Sequence, residues 1–434
     1  MRKLAVGVRP PSVTPVLAVA AGTVCALRPL KALDLHVYHA AAKSCFLQSG
    51  PMYGPNSELG WPMLYRYPPL FLCLFRPLAF LPLWAVAGIW AAAKVLLLGI
   101  LIALWYRRHQ AARPVRAHWI PALLMLPYVL QELQSGNVQL FLVEMLCFAI
   151  LVCDQHELAA GGLIGLAAAI KVWPAFIVPF FAVRRRWRLA VTSSAAGGLF
   201  TLIPGFWLGW RNLFHLLLQW YSQEKQVNAL LGDRWYPSQS LRGVMLRYLT
   251  NMDYSGLPDP NYPLVNFVSL PSWEVRQFWL VLAIVLGAVA LYWARRCGDD
   301  AGACAVFFCF LLIIQPNVHR TMYVALLWPV LYTSVLLTDQ GTSRILRLPL
   351  LIATAVAVLE PLIPGASSQR LAQVLGVDFL GILLPVTVAI LWATHDARLG
   401  NSGPVAAMTE ASDAAVLEDW RDEVVRTEGR KDNP

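Results

Sequence analysis

The chain has 434 residues, 58% of them hydrophobic and 14% charged, and its mean hydropathy of +0.55 excludes an ordinary soluble domain, in which apolar residues make up roughly 45–50%. The formal charge of +10 sits in short clusters at the ends of apolar runs: Arg184, Arg185, Arg186 and Arg188, then Arg295 and Arg296, then Arg344 and Arg347. That is the positive-inside pattern of a membrane protein and not a nucleic-acid-binding stripe. The eight cysteines fall mostly inside apolar runs, as at Cys73, Cys147, Cys304 and Cys309, without the paired spacing of a zinc site or disulfide framework.

A bilayer core of roughly 30 Å takes about 20 apolar residues per helix. Such runs recur from Val13 to Trp392 and predict an all-α polytopic membrane protein of about 12 spans. Continuous apolar runs also argue against a β-barrel, whose strands alternate. Met1-Arg2-Lys3 ahead of the first run predicts a retained helix with a cytoplasmic N-terminus; the alternative is a signal peptide cleaved after Ala18-Val19-Ala20.

With the arginine clusters cytoplasmic, residues 31–67 and 209–272 become two large loops on the outer side, joined there by short turns near His319 and Ser367. Arg107, Arg108, Arg113 and Arg116 break this pattern if residues 68–82 and 84–106 are both full spans. Either the rule fails there, or the segment opening with Pro68-Pro69 is a short re-entrant piece.

The first outer loop begins with Asp34, followed by polar and apolar residues at helical spacing through Tyr38, His39, Lys43 and Ser44. This predicts an amphipathic helix on the outer surface. Asp34 is either its N-terminal cap or a working carboxylate. The loop closes on Leu64-Tyr65-Arg66-Tyr67-Pro68-Pro69. Tyrosines there suit the headgroup level, but a guanidinium on the outer side suits an anionic oxygen such as a phosphate.

Lys171 lies inside a long apolar run ending in Val172-Trp173-Pro174, and an ionisable group at such depth is a functional candidate unless it snorkels to an interface. In the second outer loop, Trp235-Tyr236-Pro237-Ser238-Gln239-Ser240-Leu241-Arg242 combines rings with amide, hydroxyl and guanidinium groups, as sugar recognition does. Gln315-Pro316-Asn317-Val318-His319-Arg320 makes another outer turn. Pro-Asn is ordinary turn chemistry, whereas His319 and Arg320 add a proton donor and a cation that a connector does not need. From residue 396 to 434 the apolar runs end, and the composition is that of a mobile cytoplasmic tail.

Several elements come in a specific order: Asp34-Leu-His-Val-Tyr38 after the first helix, Tyr67-Pro-Pro-Leu70, Gln134-Ser-Gly-Asn137, Lys171-Val-Trp-Pro174 before an arginine-rich turn, Ser238-Gln-Ser-Leu-Arg-Gly243 and Pro316-Asn-Val-His319. Across residues 30 to 395 this resembles glycosyltransferase family 87, the polyprenyl-phosphate-mannose-dependent α-mannosyltransferases of the GT-C class. It departs from that pattern ahead of Gln134, where the resemblance calls for a glycine.

The resemblance implies a GT-C helical bundle over residues 1–395 and an inverting transfer of a sugar, mannose in that family, on the outer face of the cell membrane. The donor is a polyprenyl monophosphate sugar and the acceptor a hydroxyl of a glycolipid or glycan, with no nucleic acid involved. It also implies Asp34 as the base and His319 as a second catalytic group. Tyr38, Arg66, Tyr67, Lys171, Gln239, Arg242 and Arg320 become substrate-binding candidates. No cofactor is implied and, without an Asp-x-Asp element, no metal. Two other classes of reading are a lipid-linked-sugar flippase and a surface-polysaccharide polymerase or ligase. The layout opposes them: it has no duplicated half, and its Asp-bearing loop follows the first span directly.

Overall fold

A computed structural model describes residues 13–54, 63–108, 119–231, 237–255, 261–336 and 343–396, together with Arg234. The amino-terminal residues 1–12, Arg113 and Arg116, Asp233, Trp235 and Tyr236, and the tail beyond 396 lie outside the described residues.

All regular structure among the described residues is helical. In chain order the helices are α1 Val13–Leu27, α2 Leu33–Leu47, α3 Pro69–Phe75, α4 Leu83–Arg108, α5 Trp119–Ser135, α6 Gln139–Val152, α7 Glu157–Ile170, α8 Ile177–Val183 and α9 Trp187–Leu202. They continue with α10 Gly205–Leu208, α11 Trp210–Leu231, α12 Leu241–Leu249, α13 Ser272–Arg296, α14 Asp300–Ile314, α15 Leu327–Leu336, α16 Ser343–Leu359, α17 Ala366–Leu375 and α18 Leu384–Asp396.

Among the described residues, three helices are long and apolar enough to cross a bilayer, α4, the segment Trp187–Leu208, and α13, and a bent pair near the carboxyl end makes a fourth if it is one span. Several shorter apolar helices pack around them. One flank of α13 leaves Phe278, Val281, Ile284 and Val285 more than half exposed. A contiguous apolar face of this kind suits lipid and not water, and the chain is a helical membrane protein.

The helices run between two ends of the bundle. At one end, Arg108, Arg184 and Arg186 converge on Asp154 and Asp300. Arg108 donates to Asp154 at 2.7 Å, Arg184 to Asp300 at 2.5 Å and Arg186 to Asp300 at 3.0 Å, and Arg186 also pairs with Asp154. Arg108 therefore lies at the same end as the arginine turn at 184–188. The physical reason is the length of the segment opening at Pro68. α3 has 7 residues and the 3-10 turn after it has 5, together roughly 18 Å at about 1.5 Å per residue, short of the roughly 30 Å a span needs.

At the other end the two large loops touch. Gln223 on α11 donates to the Tyr65 carbonyl at 2.7 Å and accepts from the Gly54 N–H at 2.8 Å. The Trp220 indole N–H donates to the Arg66 carbonyl at 3.1 Å. Close helix crossings depend on small residues, as expected where lipid supplies no hydrophobic drive between helices. On α7, a Cβ added at Gly165 would come within 2.5 Å of the Gly197 nitrogen on α9.

The helix carrying Asp34 differs from its amphipathic expectation. On α2, Tyr38 and His39 are buried along with Leu35, Val37, Ala41 and Ala42. The ring edges of Phe71 and Trp90 pack on Tyr38, and the His39 imidazole donates to the Leu81 carbonyl at 2.9 Å. The helix packs into the bundle against α3 and the turn after it, where Tyr38 and His39 find their partners, while Lys43 stays exposed.

Candidate active site

Asp34 is the second residue of α2, whose cap is Ala32, and its side chain does not cap its own helix. Its carboxylate accepts a 2.9 Å hydrogen bond from the Asn137 amide, across 103 positions of sequence. Asn137 belongs to the turn between α5 and α6. Its own amide oxygen accepts from the Gln139 N–H at 3.0 Å, and its N–H donates to the Ser135 hydroxyl at 3.3 Å. With the oxygen so occupied, the amide N–H₂ must face Asp34.

The turn closes on α2 because Gly136 has φ +68°, where a Cβ would lie 2.5 Å from the Leu35 Cβ. A positive φ is readily available to glycine alone. Two residues after Asn137, Gln139 extends the same hub: its side-chain oxygen accepts from Lys171 at 3.2 Å and from the Trp173 indole at 3.3 Å.

Lys171 caps the end of α7 in an extended conformation, φ −150° and ψ 136°. It sits where the helix breaks before Trp173 and Pro174, not in the middle of a span. Its ammonium lies over the Tyr67 ring, 5.3 Å from the centroid. The Tyr67 hydroxyl in turn accepts from Tyr38 at 2.9 Å. Asp34, Asn137, Lys171 and His319 are each half-buried, so the cluster has an open side.

Burial pushes the Asp34 carboxyl above its ordinary range; the Asn137 hydrogen bond and the charges of Lys171 and Lys94 pull in the other direction. His319, in the turn after α14, is held down to about 4 by burial first and then by the cations Lys171 and Arg66. It is therefore neutral near pH 7, a hydrogen-bonding group and not a cation. Lys171 acts on both residues, which places Asp34, Lys171 and His319 in one electrostatic neighbourhood with Tyr38 and Tyr67.

The remaining candidates are already engaged. Arg66 makes two 2.8 Å hydrogen bonds to the Glu224 carboxylate. Arg320 pairs with Glu360 at 2.5 Å and Asp378 at 3.7 Å and lies over the Tyr128 ring. The Gln239 amide donates to the Gln373 carbonyl at 2.8 Å and its backbone N–H to the Val318 carbonyl at 2.6 Å, which ties the segment leading into α12 to the turn carrying His319. The Arg242 guanidinium stacks over Trp279, 5.4 Å from the ring centroid. Lys171 is held by an amide and a ring, so its positive charge is the one best placed for an incoming anion.

Asn137 lies in the Gln134-Ser-Gly-Asn137 element that the sequence singles out, without a role attached to it, whereas Gln139 and Glu224 do not stand out, since a polar residue at a helix start or on a polar helix is unremarkable. Lys94 and Glu132 do carry a signal, being charges within apolar runs. They form a pair at 3.0 Å with both side chains fully buried. Among the described residues, one cluster could hold a metal ion by geometry, Cys153 with Asp154 and Asp300. It lies at the opposite end, among Arg108, Arg184 and Arg186, whose guanidinium groups already neutralise both carboxylates.

Residues 65–316 match the family model of glycosyltransferase family 87, a stretch that includes Arg66, Asn137 and Lys171 and is flanked by Asp34 and His319. A polyprenol-phosphate-mannose-dependent alpha-(1-2)-phosphatidylinositol mannoside mannosyltransferase of Mycobacterium tuberculosis is 28% identical over 201 residues, 42% of this chain and 46% of that protein. Two proteins of Mycolicibacterium smegmatis are also similar. A polyprenol-phosphate-mannose-dependent alpha-(1-2)-phosphatidylinositol pentamannoside mannosyltransferase is 29% identical over 184 residues, 41% of this chain and 43% of its own. A phosphatidylinositol mannoside mannosyltransferase of the same linkage is 24% identical over 233 residues, 50% of this chain and 52% of its own. The chain spans about half the length of the curated relatives it matches. No solved structure matches it. Because the family match covers more than half of the sequence and includes the turn that holds Asp34, the chain belongs to glycosyltransferase family 87.

Proposed function

We propose that this protein transfers mannose from a polyprenyl monophosphate donor to a hydroxyl of a glycolipid or glycan, with inversion at the anomeric carbon. The observation that carries the reading is the half-open cluster in which an oriented carboxylate, Asp34, is linked through Asn137 and Gln139 to a cation, Lys171, that is held by an amide and a ring. Asp34 accepts the acceptor's hydroxyl proton as that oxygen attacks C1 of the sugar. The bond from C1 to the phosphate oxygen breaks, and its electron pair leaves with the phosphate. Lys171 stabilises the charge that develops there, and the neutral His319 adds a hydrogen bond.

The reading places the cluster on the outer face of the cell membrane, where a lipid-linked donor presents its sugar at headgroup depth. About 12 helical passes cross the bilayer, residues 1–395 form one GT-C unit with outer loops at 31–67 and 209–272, and both termini are cytoplasmic. Arg66, Tyr67, Tyr38, Gln239, Arg242 and Arg320 form the wall around the donor, directly or by holding those that touch it. The phosphate is already a good leaving group, so the reaction runs without a metal. Phosphatidylinositol mannosides, the acceptors of the similar proteins, are the first acceptors to supply.

The experiment is transfer from radiolabelled polyprenyl-phosphate mannose to a mixed glycolipid pool, using membranes that contain wild type or Asp34→Asn. A product made by wild type and lost in the variant at equal protein level is the expected result. Normal transfer by the variant removes Asp34 from the reaction, and no transfer by either removes the donor assignment. Loss of turnover on chelation, restored by magnesium or manganese, would overturn the metal-free mechanism.

A further inference from the structure

We propose that the buried pair Lys94 and Glu132 is a positioning element that holds the α5–α6 turn and, through Asn137, fixes the orientation of Asp34. This rests on the functional reading above for the role of Asp34, but the geometry stands without it. Lys94 on α4 directs its ammonium at three acceptors: the Glu132 carboxylate at 3.0 Å, the Glu132 carbonyl at 3.0 Å and the Asn137 carbonyl. All three donors of the ammonium are thereby used. The Glu132 carboxylate also accepts the Leu140 N–H at 3.0 Å.

The consequence is that one ion pair satisfies backbone groups on both sides of the turn. The Glu132 carbonyl, in the last turn of α5, already accepts from the Gly136 N–H at 3.1 Å and takes the ammonium as a second donor, whereas the Leu140 N–H, in the first turn of α6, is a group that a helix start leaves without an intrahelical partner. Water cannot reach them here, since Lys94 and Glu132 have no exposed side-chain surface. The pair also grips the Asn137 backbone directly, so that residue's side chain has little freedom except toward Gln139 and Asp34.

A pair serving only stability would not require this geometry, because replacing a buried ion pair by apolar groups is often neutral or stabilising. The acceptors chosen are those of the one turn that touches the carboxylate. The same turn carries Gln139, which holds Lys171, so the pair orients the base and the cation together. A displacement of about 1 Å at such a turn can lower turnover about a hundredfold.

The test uses the full-length protein in membranes with two variants. Lys94→Met combined with Glu132→Gln removes both charges and the grip on Asn137, yet keeps an amide oxygen for the Leu140 N–H. Glu132→Gln alone is the milder change. Two readouts are taken: kcat and donor KM for mannosyl transfer, and labelling of Asp34 by a hydrophobic carbodiimide, which reacts with the protonated carboxyl, followed by peptide mass spectrometry across pH. The groups facing Asp34 in that titration are Lys94, Lys171, Asn137, Tyr67, Tyr38 and Glu132.

In the double variant, kcat is expected to fall roughly 10–100-fold with donor KM within about twofold. Labelling of Asp34 should extend about one unit higher in pH, because the carboxylate loses an oriented donor and a nearby cation. Glu132→Gln alone removes a negative charge facing Asp34 and leaves the Lys94 cation in place, so it should lower kcat by less and move the labelling to lower pH, opposite to the double variant. Wild-type kcat together with an unchanged labelling profile in the double variant would overturn the proposal, as would failure of both variants to accumulate as folded protein, which makes the pair a folding element. If wild type transfers no mannose while the labelling still shifts in the variants, the donor assignment fails and the positioning role stands.

Discussion

Asn137 donates to the Asp34 carboxylate at 2.9 Å while the Gln139 N–H occupies its amide oxygen at 3.0 Å. A donor so constrained stabilises the ionised form of Asp34, and a hydrogen bond to a charged group contributes about 1.5–3 kcal/mol. A general base must be ionised, so the transfer rate should fall as pH drops through the Asp34 pKa, which burial places above the usual carboxylate range. Asn137→Ala should move that acid limb to higher pH and lower kcat on the acid side of the profile. A pH–rate profile with an unmoved limb would mean that Asn137 does not act on the base.

His319 should not shape that profile between pH 5 and 8. Burial and the two nearby cations hold it down to about 4, so it is neutral throughout this window and charges only below it. A neutral hydrogen-bonding substitute should therefore retain more activity than a truncation. His319→Gln is expected to keep turnover within about tenfold of wild type, and His319→Ala to lose about a hundredfold. Equal losses in the two variants would indicate that the ring itself, not its hydrogen bond, is required.

Lys171 was visible in the sequence because a charge within an apolar run has few bland explanations, and Asp34 and His319 stood out at membrane boundaries for the same reason. What could not be read was which cations are free for substrate. Arg66 and Arg320 look like phosphate ligands in one dimension, but their counter-ions, Glu224, Glu360 and Asp378, lie far away in sequence. Lys94 and Glu132 carried the same intramembrane signal as Lys171, diluted by single placement in long apolar helices. The fold class was legible from the length of the apolar runs. The burial of α2 was not, since its polar residues find partners only once α3 and the following turn are in place.

From this follows a contrast between two cations. Lys171→Met should lower kcat/KM for the donor by about 10–150-fold, the equivalent of about 1.5–3 kcal/mol for a charge-assisted contact to phosphate, with little change in thermal stability. Arg320→Ala should instead leave two buried carboxylates without their cation and destabilise the fold by about 3 kcal/mol. Thermal unfolding of both variants in detergent, followed by size-exclusion chromatography, separates the two roles. A stable Arg320→Ala with a raised donor KM would return that residue to the substrate.

Gly136 supplies the strictest geometric test. At φ +68° an alanine pays roughly 1–2 kcal/mol for the left-handed conformation. Its Cβ would also sit 2.5 Å from the Leu35 Cβ and 3.2 Å from the Ala32 Cβ. Neither neighbouring atom can rotate away, because each is fixed to its own backbone, so the turn and the start of α2 must separate. Asp34 lies one residue before Leu35, and the separation lengthens its bond to Asn137. Gly136→Ala should therefore cost more turnover than stability, with a loss of about a hundredfold in kcat. Gly162→Ala, inside α7 where a Cβ meets nothing within 4 Å, is the matched control and should be neutral or slightly stabilising. Equal transfer rates for the two alanine variants would mean that the close approach of this turn to α2 does not set the geometry of the base.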